Sequence, residues 1–218
     1  SPTNYPGTST GVGNYAVLNP LEPYGATFSN GNLNISGTTA SSTYFSRATT
    51  QVPAATPIYF EAVLGTTLSS NSTQIAVGVC TSAYSTASWG GTGSWGMTAT
   101  GSALAQRLFD QGTTSSSFGS TALPAGSVIQ VAIDIANGKM WVGLNNAWYN
   151  STGGTTGNPS TGANPTFSSL SGAVVSPYAW VYGDNLSYNF GQQPFSYTPP
   201  TGFKALNTQN LPTPTISN

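Results

Sequence analysis

The feature that most constrains this chain is residues 127–145, SVIQVAIDIANGKMWVGLN, where two strictly alternating runs flank the dipeptide Asn137-Gly138. Asn-Gly between alternating apolar residues signals a β-hairpin with a two-residue type I′ turn, because both central positions must take φ > 0. With Ala136 opposite Lys139, Ile135 faces Met140, Ile133 faces Val142 and Val131 faces Leu144, so the large aliphatic side chains share one face. Gln130, Ala132 and Asp134, opposite Asn145, Gly143 and Trp141, form a mixed second face. A one-residue slip would turn the apolar set outward, so the register is well specified. A lone hairpin cannot bury that face, and a second sheet must cover it.

Similar patterns recur along the chain. IYFEAVLG at 58–65 places Ile58, Phe60, Ala62 and Leu64 on one side and Tyr59, Glu61 and Val63 on the other, a strand covered on both faces. Residues 41–50 and 71–80 read as strands, and a hairpin is expected around residues 29–32, with Phe28, Leu33 and Ile35 buried. QRLFDQGTTSSSFG at 106–119 reads as a short strand followed by a loose loop. Residues 146–167 read as a long loop, of the kind that is either functional or pinned by its own side chains. VVSPYAWVYG and LSYNF supply two later strands, with Asp184-Asn185 as the turn between them. In all, roughly ten to twelve short strands punctuated by turn residues predict one antiparallel β-sandwich domain. No helix and no fixed-period repeat is predicted.

Composition narrows the chemistry. Only 4 % of the 218 residues are charged, against about 25 % in ordinary domains. The four basic residues, Arg47, Arg107, Lys139 and Lys204, are dispersed and the net charge is -1, which argues against nucleic acid or an anionic membrane as a partner. A surface nearly free of charge lets neighbouring copies associate without electrostatic penalty. Cys80, the only cysteine, ends the apolar run IAVGVC and reads as a buried core residue. No stretch approaches about 18 uninterrupted apolar residues, so no membrane-spanning helix is expected.

The chain has no histidine, which removes Ser-His-Asp and Cys-His catalysis and His-based metal sites. The five acidic residues, Glu22, Glu61, Asp110, Asp134 and Asp184, are scattered and show neither a paired-carboxylate glycosidase pattern nor calcium-loop spacing. Asp134 and Glu61 are expected to partner backbone amides or an Arg, and Asp184 to serve a turn. No enzyme activity, cofactor or metal is expected. Four N-x-S/T sequons, at Asn34, Asn71, Asn150 and Asn185, are explained by the Asn-, Ser- and Thr-rich composition.

Four stretches in order, IYFEAVL with IAVGVC, then SWGGTGSWGM, then SVIQVAIDIANGKMWVGLNNAW, then VSPYAWVYGDNLSYNFGQQPFSY, resemble the signature of SPRY domains. The resemblance is strongest to SPRY modules in tail and virion proteins of bacteriophages and prophages. Its most specific parts are NGKMWVGLN, NPSTGANPTF and the NFGQQPF segment running into YTPPTGFKALNTQNLP. It implies a bent two-sheet β-sandwich, related in architecture to concanavalin-like lectins, and a binding role without catalysis. In phage proteins this unit is typically one module of a longer polypeptide.

The expected organisation is an extended N-terminal arm over 1–14, a SPRY-like sandwich over 15–203, and an extended Pro/Thr-rich C-terminal arm over 204–218. The leading functional expectation is a structural subunit of a phage virion or extracellular appendage, forming a homo-oligomer or filament through low-charge surfaces and terminal arms. The alternative is a lectin-like module of a tail fibre or adhesin that binds a glycan or protein receptor. Trp89, Trp95, Trp148 and Tyr149, set among Gly, Ser, Thr and Asn, are the candidate binding residues, because Trp and Tyr in polar loops can stack on sugar rings or anchor an interface. Trp141 and Trp180 lie in alternating strands and are expected to pack.

Overall fold

The computed structural model describes residues 13–22, 25–37, 42–68, 73–84, 90–100, 105–119 and 122–212. Within them run fourteen strands: β1 (Thr27–Ser29), β2 (Asn34–Ser36), β3 (Thr43–Arg47), β4 (Ile58–Leu64), β5 (Gln74–Cys80), β6 (Ser94–Thr100), β7 (Ala105–Asp110), β8 (Thr113–Gly119), β9 (Val128–Asp134), β10 (Lys139–Leu144), β11 (Ala147–Tyr149), β12 (Ser176–Tyr182), β13 (Asn185–Asn189) and β14 (Lys204–Ala205). They form two sheets: the first in the order β1-β2-β13-β4-β9-β10-β11, with β14 also on β4, and the second in the order β3-β12-β5-β6-β7-β8. Apart from the short parallel pairing of β14 with β4, neighbouring strands are antiparallel.

The two sheets face each other across one aliphatic core. Ile58 and Phe60 of β4, Val131 and Ile133 of β9, and Met140 and Val142 of β10 meet Val77 of β5, Met97 of β6 and Val181 of β12, all fully buried. The ribbon read from the sequence therefore carries the interior of the first sheet, with Ile133 and Val142 at 0 % exposure.

Its turn differs from the expectation. The pairing is Asp134 with Lys139, Ile133 with Met140 and Val131 with Val142, two residues away from the predicted register. A shift of two preserves which face each side chain takes, so the aliphatic set stays together. Only Gly138 of the Asn-Gly pair has positive φ, at 65°, which excludes type I′. Asp134 holds the longer loop by accepting hydrogen bonds from Asn137 N (3.1 Å) and Asn137 Nδ2 (2.7 Å). Two-residue turns with both central φ values positive occur instead at Gln111-Gly112 (49° and 86°) and Asn145-Asn146 (49° and 68°). These join β7 to β8 and β10 to β11, so residues 113–119 are a strand where a loop was expected, and the loop expected over 146–167 begins with strand β11. Asp184-Asn185 is not a hairpin turn: Asn185 opens β13, and the chain there crosses from the second sheet to the first.

Each sheet also buries part of its outer face. On the second, Phe45, Tyr84, Phe109, Tyr178 and Trp180 cluster around Cys80 and Ala76. Burial pushes the Cys80 thiol up to about 12. Thiolate is the reactive form, so the folded protein is expected to resist labelling by iodoacetamide at pH 8 and to react stoichiometrically in guanidinium; rapid labelling of the native state would contradict this burial.

Residues 204–212, placed by the sequence reading in an extended arm, lie on the sandwich. β14 pairs with Ile58 and Tyr59 of β4, Leu206 is fully buried, and residues 208–210 form a 3-10 turn capped by Asn207. The N-terminal segment runs against it: Ala16 N donates to Leu206 O (3.1 Å) and Thr208 N to Asn14 O (2.9 Å). The two described terminal segments thus lie side by side next to the start of β4.

Candidate functional site

Along β4, side chains alternate between the core and the outer face of the first sheet, which presents Tyr59 and Glu61 outward. Ala132 of β9 and Trp141 of β10 join Tyr59 in a second apolar layer. That layer is roofed by Trp148 of β11 and by a strap, residues 194–203, that contributes Phe195 and Phe203. The Phe195 ring meets Tyr59 edge-on at 4.8 Å between centroids, and Phe203 meets Trp141 edge-on at 6.1 Å. Trp141 Nε1 donates to Ala163 O (2.9 Å), tying down the loop after β11.

A buried polar network latches the strap. Glu61, 0 % exposed, accepts from Tyr59 OH (2.6 Å) and Tyr197 N (3.0 Å) at Oε1 and from Ser196 N (2.8 Å) at Oε2. Gln130 donates through Nε2 to Tyr59 OH (3.0 Å) and accepts from Asn146 N (2.6 Å). Burial, and next the bond to Glu61, push the Tyr59 phenol far above its ordinary range, so it stays a proton donor. A buried carboxylate is tolerated here because its lone pairs are met.

The strap divides the outer face into two grooves. The larger, of about 770 Å³, is lined by the rings of Tyr15, Phe195, Tyr197 and Phe203 and by the amides of Gln209 and Asn210. Among the described residues, Lys204 is the one charged residue on its wall. The smaller, of about 340 Å³, is lined by Trp148, Asn146, Asn158, Ser160 and Thr201 with prolines between them, and among the described residues carries no charged one.

The sequence candidates have different fates. Trp95 lies on β6, 3 % exposed, its Nε1 donating to Ser169 Oγ (2.9 Å), which donates in turn to Asp110. Tyr149 is 9 % exposed in the core, its ring 4.1 Å from that of Phe118. Strand alternation along β11 explains the split: Tyr149 turns inward, and its neighbour Trp148 turns out onto Gly143 and into the smaller groove. Trp95 and Trp148 belong to different sheets and form no common site. Trp89 lies outside the described residues. Trp141 and Trp180 are buried, as their strands predict.

The acidic residues are each engaged separately. Glu22 pairs with Arg47 (2.9 Å), Asp134 with Asn137, Asp110 with Ser169, and Glu61 with the strap. Among the described residues no three His, Cys, Asp or Glu side chains gather as metal ligands. Asp184 is buried beyond what a turn needs: Oδ1 accepts from Thr66 Oγ1 (2.5 Å) and Asn185 N (2.6 Å), while buried Oδ2 has no partner. Burial raises its carboxyl above the ordinary 3.8. The folded state then holds this proton more tightly than the unfolded state, so its contribution is full below the ordinary carboxyl range and is lost as pH rises through the raised value. Asp184→Asn is expected to flatten that part of the pH–stability curve, and urea midpoints from pH 3 to 7 that stay parallel to those of the parent would contradict it.

The SPRY domain family model matches residues 57–193. The chain is similar in fold to the crystal structure of the TRIM65 PSpry domain, at 12 % identity and a TM-score of 0.53, over 81 % of this chain and 92 % of that one. It is also similar to the SPRY domain of human HERC1, at 16 % identity and a TM-score of 0.55, over 78 % of this chain and 94 % of that one. No curated protein matches the sequence.

Proposed function

The chain belongs to the SPRY domain family, whose members are non-catalytic protein-interaction modules, and we propose that it is a structural contact module of a phage virion or another extracellular appendage, associating with further copies of itself. The observation that carries this reading is the position of the larger groove. Its rim is built from Tyr15, Asn207, Gln209 and Asn210, where the two terminal segments pair and leave the sandwich. The occupant is the C-terminal segment of a second copy, residues 213–218, TPTISN, which has no charged side chain. A short proline-containing segment suits a groove of aromatic rings and amides, because proline restricts the free chain and little conformational entropy is lost on docking. Reciprocal exchange between two copies closes a dimer, and non-reciprocal exchange builds a filament.

Light scattering of the full chain is expected to give a dimer or larger particle. Deleting residues 213–218, or replacing groove-wall Ser196 by Arg, is expected to give a monomer. A monomeric full chain, or a particle mass unchanged by both alterations, would overturn the assembly. The extracellular placement predicts the protein in purified particles or the secreted fraction of its source culture; recovery only from the cell lysate would overturn it. A lectin-type reading, the alternative, rests on Trp148, the described candidate tryptophan that stays half-exposed.

A further inference from the structure

We propose that the smaller groove is a binding site for a neutral carbohydrate, with the Trp148 indole as its platform. The proposal rests on and deepens the lectin-type reading; its site lies across the strap from the assembly groove and shares Thr198 and Pro199 with it. Three observations meet there. First, Trp148 is seated before any ligand arrives: a Cβ on Gly143 would come within 3.1 Å of its ring, and its centroid lies 6.3 Å from that of buried Tyr59. One face of the indole is therefore spent on the sheet, and the residue still lines the groove.

Second, the opposite walls are pinned by their own hydrogen bonds. Ser160 Oγ accepts from Thr201 N (3.0 Å), joining the loop after β11 to the strap, and Asn158 exchanges backbone hydrogen bonds with Ala163 (3.0 Å each way) while its Oδ1 accepts from Thr161 N (3.2 Å). A site held open in advance loses little entropy on binding.

Third, the chemistry of the walls selects the ligand class. An aromatic platform surrounded by Asn, Ser and Thr offers one apolar surface and several neutral donors and acceptors. A pyranose is complementary to that arrangement, because its C–H face stacks on the electron-rich ring while its hydroxyls reach the rim. With no charged residue on the wall, sialylated, sulfated or phosphorylated ligands gain no ionic contact to offset desolvation. The volume of about 340 Å³ sits at the lower end of the roughly 300–1,000 Å³ of small-molecule sites and suits the end of an oligosaccharide.

The test is an array of neutral and acidic oligosaccharides probed with the full chain, followed by titration of the best neutral binder. Binding to neutral glycans is expected, weakened about tenfold or more by Trp148→Ala. Thr201→Arg, at an exposed position on the groove wall, is expected to do the same by blocking the site without touching the core. Deleting residues 213–218, which the proposed glycan site does not use, is expected to leave glycan binding intact, which separates failure of this proposal from failure of the assembly. The proposal is overturned by no neutral binder, by binding confined to acidic glycans, by binding that survives both small-groove variants, or by a proline-rich peptide that binds at Trp148 in place of sugar.

Discussion

Replacing Glu61 by alanine is expected to cost about 3 kcal/mol of folding stability and to release the strap from the first sheet. The carboxylate accepts from Tyr59 OH, Ser196 N and Tyr197 N, and its removal strands all three donors. The phenol is fully buried, so its loss is not made good by water, and an unsatisfied buried donor costs about 1–3 kcal/mol. Ser196 is exposed, so water partly compensates its amide. Glu61→Gln keeps one acceptor oxygen and the side-chain shape, and is expected to lose about half as much. Urea unfolding of the three proteins, with amide exchange read at Ser196 and Tyr197, checks this. A Glu61→Ala protein within about 0.5 kcal/mol of the parent, with unchanged exchange at those amides, would show that the latch holds nothing.

Trp141→Ala is the second severe change. The side chain is 1 % exposed, packs with Tyr59, Ala132 and Phe203, and donates to Ala163 O. Truncating a buried Trp to Ala costs about 3–5 kcal/mol through lost transfer energy and the cavity left behind, a large part of the roughly 5–15 kcal/mol that holds an ordinary domain together. Ala163 O still accepts from Asn158 N, so the carbonyl is not stranded. Trp141→Phe keeps a ring but loses the N–H and part of the volume, and is expected to fall between parent and Ala. Thermal unfolding of both variants is the check; a Trp141→Ala protein melting with the parent would mean that the outer aromatic layer contributes no stability.

The sandwich was legible because period-two alternation survives errors of register. The β9–β10 ribbon was displaced by two residues, yet every aliphatic side chain kept its face, so Ile133 and Val142 reached the core as read. Turn chemistry was less legible. Asn137-Gly138 looked like a type I′ turn, but the Asp134 carboxylate captures Asn137 and favours a longer loop, a competition invisible in the dipeptide itself. β8 is not legible in the sequence because TTSSS has no apolar alternation; it is a strand through its pairing with β7.

The candidate binding residues are the least legible part. A tryptophan among glycines and serines looks loop-borne, yet Trp95 and Tyr149 are strand residues whose alternation sends them inward. The same alternation carries Trp148 outward. FGQQPFSYTPPTGF reads as a family signature but does not show its role as a strap, because that role depends on Glu61, more than a hundred residues away. The outward placement of Tyr59 and Glu61 on β4 was the available signal. A buried Glu beside a buried Tyr on a sheet face requires a donor-bearing cover, and the segment after β13 supplies it.

If the strap face is where this protein makes its contacts, hydrogen exchange of the full chain measured at low and high protein concentration will localise them. Protection that rises with concentration in residues 193–203 and 207–210, and disappears in the chain lacking residues 213–218, is the predicted result. Exchange that does not depend on concentration, or protection that builds at the β1 and β8 edges while the strap stays unchanged, would contradict it.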